Sequence, residues 1–342
     1  MAEALRVLDF GRAAPLRSQT LWHAISYGIS SGAPTTLSFV RPAAPYVCLG
    51  YHRDLEEVDR DYCAENGLPI LRRMVGGGPV YLDEHQLFFQ MTLPAGDVPA
   101  ARHEALRMLL EPVVVAFGAV GIPAELDEEM EICLGEAKIC GHGAGQIEDA
   151  VVLCGNLIEL FDHARATRVL AIADLDQRDQ TAALMRRFVV PTPVDEADFK
   201  AALTRSVAAA FGLEPERGEL TGREHEALAD LDARFESAPW LAGPRGRGES
   251  NAFRLRPRQV KIRAGVWTVA AEHEGVHVAA AIVNGKIDQV TVHAAELNGS
   301  AREIEAALVG TPLTLTAPVL AGFGDVGRRL AVALASADAG RI

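Results

Sequence analysis

Three consecutive glycines, Gly76, Gly77 and Gly78, follow the pair Arg72 and Arg73 and precede Pro79, Val80, Tyr81, Leu82 and Asp83. Glycine has no Cβ and tolerates positive φ, so such a backbone can lie directly against a ligand. Its N–H groups can converge on an anion, and Arg73 adds a permanent charge with forked donors. The stretch reads either as a site for a phosphorylated group beside a narrow apolar channel, or as a plain glycine-rich turn between two strands. A second glycine-rich run, residues 141–145, lacks the last glycine of a dinucleotide fingerprint and opens no helix, so it reads as a loop carrying His142. The five cysteines, at 48, 63, 133, 140 and 154, form no CxxC pair and no metal-like spacing with histidine. They predict reduced thiols, most of them small buried hydrophobes, and no metal site is legible.

The elements that must hold these residues follow from periodicity. Residues 5–10 alternate as a strand and 16–30 read as a helix. Short β-type runs at 35–40 and 46–49 precede a helix over 59–66 with Gly67 at its C-cap. Residues 69–73 form the strand that delivers the arginines, and 87–93 the next one. Apolar residues at 106, 109, 110, 113, 117 and 120 mark one helical face over 101–120, with a kink or break expected at Pro112. Short strands follow at 131–134, 137–140 and 150–153, then helices at 195–211, closed by Gly212, and at 224–235. Short strands interrupted by isolated helices predict an α+β fold with a mixed sheet, not a βαβ repeat.

The chain of 342 residues, 49% hydrophobic, is long enough for two domains, expected at 1–245 and 258–342. Residues 243–257, rich in Gly, Pro and Arg, are the expected linker. In the second domain, runs at 276–283 and 286–292 flank Asn284-Gly285, a hairpin signal. Ser300-x-x-Glu303 predicts a capping box opening a helix to Leu308. A formal charge of −13 argues against a nucleic-acid partner. The first ten residues contain no apolar signal region, and the longest apolar run, 113–122, is too short for a bilayer. A soluble cytoplasmic protein with no membrane partner is the expectation.

Taken together, Arg72-Arg73-x-x-Gly76-Gly77-Gly78-x-Val80-Tyr81-x-Asp83 resembles the signature of the lipoate-protein ligases, within the biotin and lipoate transferase superfamily. Residues 45–52 resemble the Pro-x-Val-Ser-Leu-Gly segment of these enzymes, with Cys48 in place of serine. Residues 135–141 resemble their Gly-x-Lys-Ile-Ser-Gly strand and place Lys138 at the lysine. Residues 151–162 resemble the His-Gly-Thr-Leu-Leu segment, with Cys154 for His and Asn156 for Thr. Val75 stands for a serine and His85-Gln86 for Gly-Asn. Residues 237–243 resemble Ser-x-x-Trp-x-x-Gly, and the C-terminal hairpin and helix resemble the small accessory domain. The resemblance runs from about Leu5 to Leu330.

The resemblance implies a catalytic domain of mixed β-sheets with flanking helices and a small α+β C-terminal domain. It implies an ATP-dependent ligase that makes lipoyl-AMP and passes the lipoyl group to a lysine of a lipoyl carrier protein. ATP, Mg²⁺ and lipoate would be handled together. Lys138 would be the catalytic cation, since a fixed ammonium stabilises charge building on phosphate and then polarises the acyl carbonyl. Arg73 would hold phosphate, Gly76, Gly77 and Gly78 would line the lipoyl chain, and Gly78, Pro79, Val80 and Tyr81 would contact the adenylate. Gly141, which closes the lysine strand, and Asp83 would join the substrate and ATP contacts, although Asp83 is either the family aspartate or a turn residue. The alternative is an octanoyl or lipoyl transferase of the same fold that uses a cysteine thioester. Residues 123–130 hold no cysteine for that role, and Cys154 is either a nucleophile or inert packing. Arg254, Arg256, Arg258, Lys261 and Arg263 would either dock the carrier or guard a solvated edge.

Overall fold

The strand Gln86–Pro94 lies inside the larger unit, and its alternation shows how that unit is layered. Leu87, Phe89, Met91 and Leu93 share one core and Phe88 faces another. In the computed structural model, which describes residues 3–243, 259–297 and 299–338, this strand belongs to a six-stranded sheet. The order is His142–Ile147, Ala150–Ile158, Gln86–Pro94, Thr36–Pro42, Ala4–Ala13 and Glu214–Arg217. The first four strands pair antiparallel, and Ala4–Ala13 runs parallel to both of its neighbours. The sheet is therefore mixed, and the fold is α+β.

Helices Arg102–Ala119 and Glu196–Phe211 cover one face, with Leu109, Val113, Phe117, Phe199 and Leu203 against the sheet. Phe199 lies 5.0 Å from Phe117 and 6.0 Å from Phe89, centroid to centroid. Each such buried side chain contributes about 1.5–3 kcal/mol. A Cβ on Gly155 would collide with the Phe89 ring, so glycine is required where that ring crosses the neighbouring strand. On the other face lie helices Pro15–Ile29 and Gly222–Phe235, together with a three-stranded sheet in the order Ile70–Arg72, Tyr46–Leu49, Val80–Leu82. A second small sheet joins Glu125–Leu126, Ile132–Leu134 and Ala137–Lys138.

Residues 171–189 and 245–342 make the second unit. Its antiparallel sheet runs in chain order, Gln259–Arg263, Val266–His273, Val276–Val283 and Lys286–Ala294. Asn284 and Gly285 take φ of 50° and 77°, the left-handed pair that a two-residue hairpin needs. Val278, Ala280 and Ile282 pack with Ile304, Leu308, Leu330 and Leu334, while Ala281 packs with Leu184 and Phe188.

Three expectations are corrected, and two helices are added. The helix Arg102–Ala119 continues through Pro112, so the expected break is absent; buried residues on both sides of it outweigh one lost backbone bond. Residues 142–147 form a strand, because pairing with Ala150–Ile158 supplies the backbone partners that their glycines leave open. Ser300 makes no side-chain cap; its hydroxyl donates to Leu297 O instead, so the capping box is absent. Helices His163–Arg168 and Leu175–Phe188 went unread, although Asp162 and Asp174 cap them. The expected linker lies outside the described residues apart from Gly243.

Candidate active site

Both ends of the glycine loop are fixed to one strand. Tyr46–Leu49 pairs in parallel with Ile70–Arg72 and antiparallel with Val80–Leu82, so the chain must turn through residues 73–79. The two arginines then diverge. Arg72 is fully buried and its guanidinium donates to Gly50 O, Tyr51 O, Arg53 O and Leu241 O at 2.6–3.2 Å. It ties the loop after Leu49 to the helix Ala238–Ala242. Burial pulls its pKa down, and nearby carboxylates partly restore it.

Arg73 reaches over the glycines. It donates to Gly76 O at 2.8 and 3.1 Å, to Gly78 O at 3.1 Å and to Cys48 O at 3.0 Å. Gly77 has φ of 98°, and a Cβ there would lie 2.5 Å from Arg73 Nη2. Gly50 approaches the loop from beneath, where a Cβ would collide with Gly77 O. In this state Arg73 organises the loop that the sequence placed beside phosphate.

Helix Pro15–Ile29 supplies a residue that sequence reasoning missed. His23 Nδ1 bonds to Gln19 O at 2.7 Å and its Nε2 accepts from Met74 N at 3.0 Å, at the start of the loop. Burial, with smaller contributions from Arg73 and Arg234, pushes its pKa down to about 3, so the ring is neutral and its tautomer fixed. A lone histidine among apolar residues gave no signal for this. Next along the loop, Val75 is buried with Trp22, Ile147 and Val152, beside Cys154. A Cβ on Gly145 would lie 3.0 Å from Val75 Cγ1, so the strand His142–Ile147 passes directly under the loop. The two glycine-rich motifs thus pack on one another around an apolar patch.

Lys138 lies on a two-residue strand paired with Ile132–Leu134, opposite Cys133. Its Nζ is 3.2 Å from Glu131 Oε1, and the two side chains are only 16% and 9% exposed. His142 opens the next strand. Burial first, and then the Lys138 charge, push its pKa down to about 4, and its Nε2 is buried with no hydrogen-bond partner among the described residues.

Asp83 is buried and accepts from His85 N at 3.0 Å and Gln86 Nε2 at 3.3 Å; desolvation pushes its carboxyl pKa up. Tyr81 is buried with its hydroxyl 3.4 Å from Arg165 Nη1, and burial raises its pKa to about 12. Pro79 is half-buried and Val80 exposed at the loop's far end. Gly141 N donates to Asn156 Oδ1 at 2.6 Å. All five cysteines are free thiols. Burial pushes the pKa of Cys154 and Cys48 up, with Arg73 offsetting only part of it; Cys63 rises to about 11 and Cys140 to about 12. Among the described residues no group of three or more His, Cys, Asp or Glu side chains could hold a metal ion. No described helix is long and apolar enough to cross a membrane.

Residues 19–205 match the family model of the lipoyl protein ligase A/B catalytic domain. A lipoate-protein ligase A subunit 1 of Thermoplasma acidophilum is 27% identical over 215 residues, 58% of this chain and 80% of that protein. An octanoyltransferase LipM of Moorella thermoacetica is 26% identical over 271 residues, 70% of this chain and 98% of that protein. Among solved structures, an archaeal lipoylation system from Thermoplasma acidophilum, a bi-partite lipoate protein ligase and its E2 lipoyl domain, superimposes with a TM-score of 0.64 at 25% identity. It covers 72% of this chain and 99% of that one. One relative is a ligase and another a transferase, so similarity alone leaves both reactions open.

Proposed function

The chain belongs to the lipoyl protein ligase A/B family, and from that membership we propose that it is an ATP-dependent lipoate-protein ligase. One observation carries the choice of ligase over transferase: no thiol near the glycine loop or the lysine strand is set up as a nucleophile. Cys154, the thiol beside the apolar patch, is half-buried and desolvation pushes its pKa up, and Cys133 directs its Sγ at Asp127 Oδ2, 3.7 Å away. A thioester route needs a thiolate, which the surroundings of Cys154 oppose. Lys138 and the glycine loop suit the other route.

In that route a lipoate carboxylate oxygen attacks the α-phosphorus of ATP, the P–O bond to the β-phosphate breaks, and pyrophosphate leaves. The Lys138 ammonium offsets charge on the α-phosphate oxygens. The amine of a carrier lysine then attacks the acyl carbon, the C–O bond to AMP breaks, and the amine gives up a proton. Val75, Trp22, Ile147 and Val152 would line the apolar end of the acyl chain. Arg73 would reach phosphate by exchanging its bonds to Gly76 O and Gly78 O for charge-assisted ones. Mg²⁺ supplies charge neutralisation on the phosphates; the described residues offer no acidic cluster for it, so it would enter on the nucleotide. The acyl acceptor would be a lipoyl domain, the kind of partner named with the Thermoplasma structure, in the cytosol.

The test is pyrophosphate release from lipoate and ATP with no carrier present. Release that depends on lipoate supports the ligase. Acyl transfer from an acyl-carrier thioester without ATP, with no pyrophosphate release, establishes the transferase reading, which the LipM relative favours.

A further inference from the structure

A chain of buried polar groups connects the glycine motif to the lysine motif. Asp83 Oδ1 accepts from Gln86 Nε2 at 3.3 Å, Gln86 Oε1 accepts from Asn156 Nδ2 at 2.8 Å, and Asn156 Oδ1 accepts from Gly141 N at 2.6 Å. The three side chains belong to residues that are 4%, 1% and 9% exposed, so no bulk water competes for these bonds. The direction of the chain is set at one end. Asp83 Oδ1 also accepts from His85 N at 3.0 Å and so faces Gln86 as an acceptor, which turns the Gln86 donor toward Asp83 and its oxygen toward Asn156. The Asn156 amide must then present its NH₂ to Gln86 and its oxygen to Gly141. Asn156 also grips Gly141 through its backbone, its N donating to Gly141 O at 3.0 Å. A side chain at Gly141 would crowd that oxygen, with a Cβ 3.0 Å from Oδ1.

We propose that Gln86 and Asn156 act as one positioning pair, which fixes the Gly141 turn and through it holds the Lys138 ammonium and His142 in register with the glycine loop. Neither amide touches the reacting atoms; each acts through the backbone of the turn. The proposal rests on the reading above in which Lys138 is the reactive cation. Removing one amide leaves the other buried without its partner, so the pair works as a unit.

The experiment compares Gln86→Leu, Asn156→Leu and the double variant with Thr36→Val. The last removes a buried acceptor from Arg6, 3.0 Å away in the same sheet, with no bond to the chain. Each single variant is expected to lower kcat about tenfold with KM for the acyl substrate changed by less than about twofold, and the double variant to be no worse than the poorer single. Thr36→Val keeps wild-type kcat despite its lower stability. Amide hydrogen exchange at Gly141 gives a readout that needs no turnover: it speeds up in Gln86→Leu, which touches Gly141 only through Asn156, and stays unchanged in Thr36→Val. Multiplicative losses in the double variant, or unaltered Gly141 exchange in Gln86→Leu, overturn the proposal. If wild type releases no pyrophosphate, the ligase reading fails by itself, and the same rates are compared in thioester-dependent transfer.

Discussion

At the scale of single residues, the proposed chemistry depends on how Lys138 is held. Its ammonium meets a largely buried Glu131 at 3.2 Å, so this side chain is part of the packing as well as the candidate cation. Lys138→Ala is expected to abolish pyrophosphate release and to cost about 1–3 kcal/mol of stability, because it leaves the Glu131 carboxylate without that cation. Lys138→Ala combined with Glu131→Gln should recover the stability but not the activity. If the double variant regained turnover, Lys138 would be a structural cation only. Cys154 gives the complementary test. Burial raises its pKa, so Cys154→Ser is expected to keep ATP-dependent lipoylation, with no acyl adduct on the wild-type thiol by intact-mass measurement. An adduct formed from an acyl-carrier thioester would reverse the assignment of reaction. The departures at Gln86 and Asn156, each isolated in the sequence, turn out to be partners 2.8 Å apart across two strands. No local pattern could have paired residues so far apart in the chain.

At the scale of elements, the glycine loop is held by what lies around it more than by its own residues. Arg72 shows the limit of reading motifs by type: the sequence offers two arginines, and strand alternation buries one as a carbonyl clamp while leaving its neighbour over the loop. The strands flanking the loop were legible because each carries a β-type run bounded by Gly or Pro. The strand His142–Ile147 was not, since Gly143, Ala144 and Gly145 are weak strand formers and adopt it only by pairing with Ala150–Ile158. His23 was illegible for the same reason, its partner being a backbone N–H fifty-one residues away. It has a measurable consequence. His23 and His142 have pKa values lowered from 6.5 to about 3 and about 4, so the folded state takes up their protons later than the unfolded chain. Their contribution is intact above pH 6.5 and is lost as pH falls toward those values, at up to ~1.4 kcal/mol per pH unit for each. His23→Gln retains an acceptor for Met74 N but no titrating ring. Urea midpoints measured between pH 4.5 and 6.5 should therefore fall less steeply in this variant than in wild type. Equal slopes would mean that His23 is not desolvated as described.

At the scale of the whole molecule, the charge distribution and the two proposed half-reactions make separate demands. The chain carries 46 acidic and 33 basic residues, and an acidic carrier would be repelled by most of such a surface. The basic run Arg254, Arg256, Arg258, Lys261 and Arg263 is the exception legible in the sequence. The first three lie outside the described residues. Lys261 is exposed on the strand Gln259–Arg263, whereas Arg263 stacks over Phe188 at 5.6 Å and is engaged within its own unit. On the proposed ligase reading, adenylate formation would involve only small molecules, so reversing this charge should not reach it. Transfer requires a protein partner, whose encounter is accelerated by complementary charge and slowed by salt. Replacing Arg254, Arg256, Arg258 and Lys261 with Glu is therefore expected to slow lipoyl transfer to a carrier domain about tenfold at low ionic strength. The loss should shrink as salt is added, while carrier-free pyrophosphate release stays within about twofold of wild type. Equal loss of both half-reactions would indicate damage to the fold. Equal transfer rates at every salt concentration would mean that the carrier approaches another face.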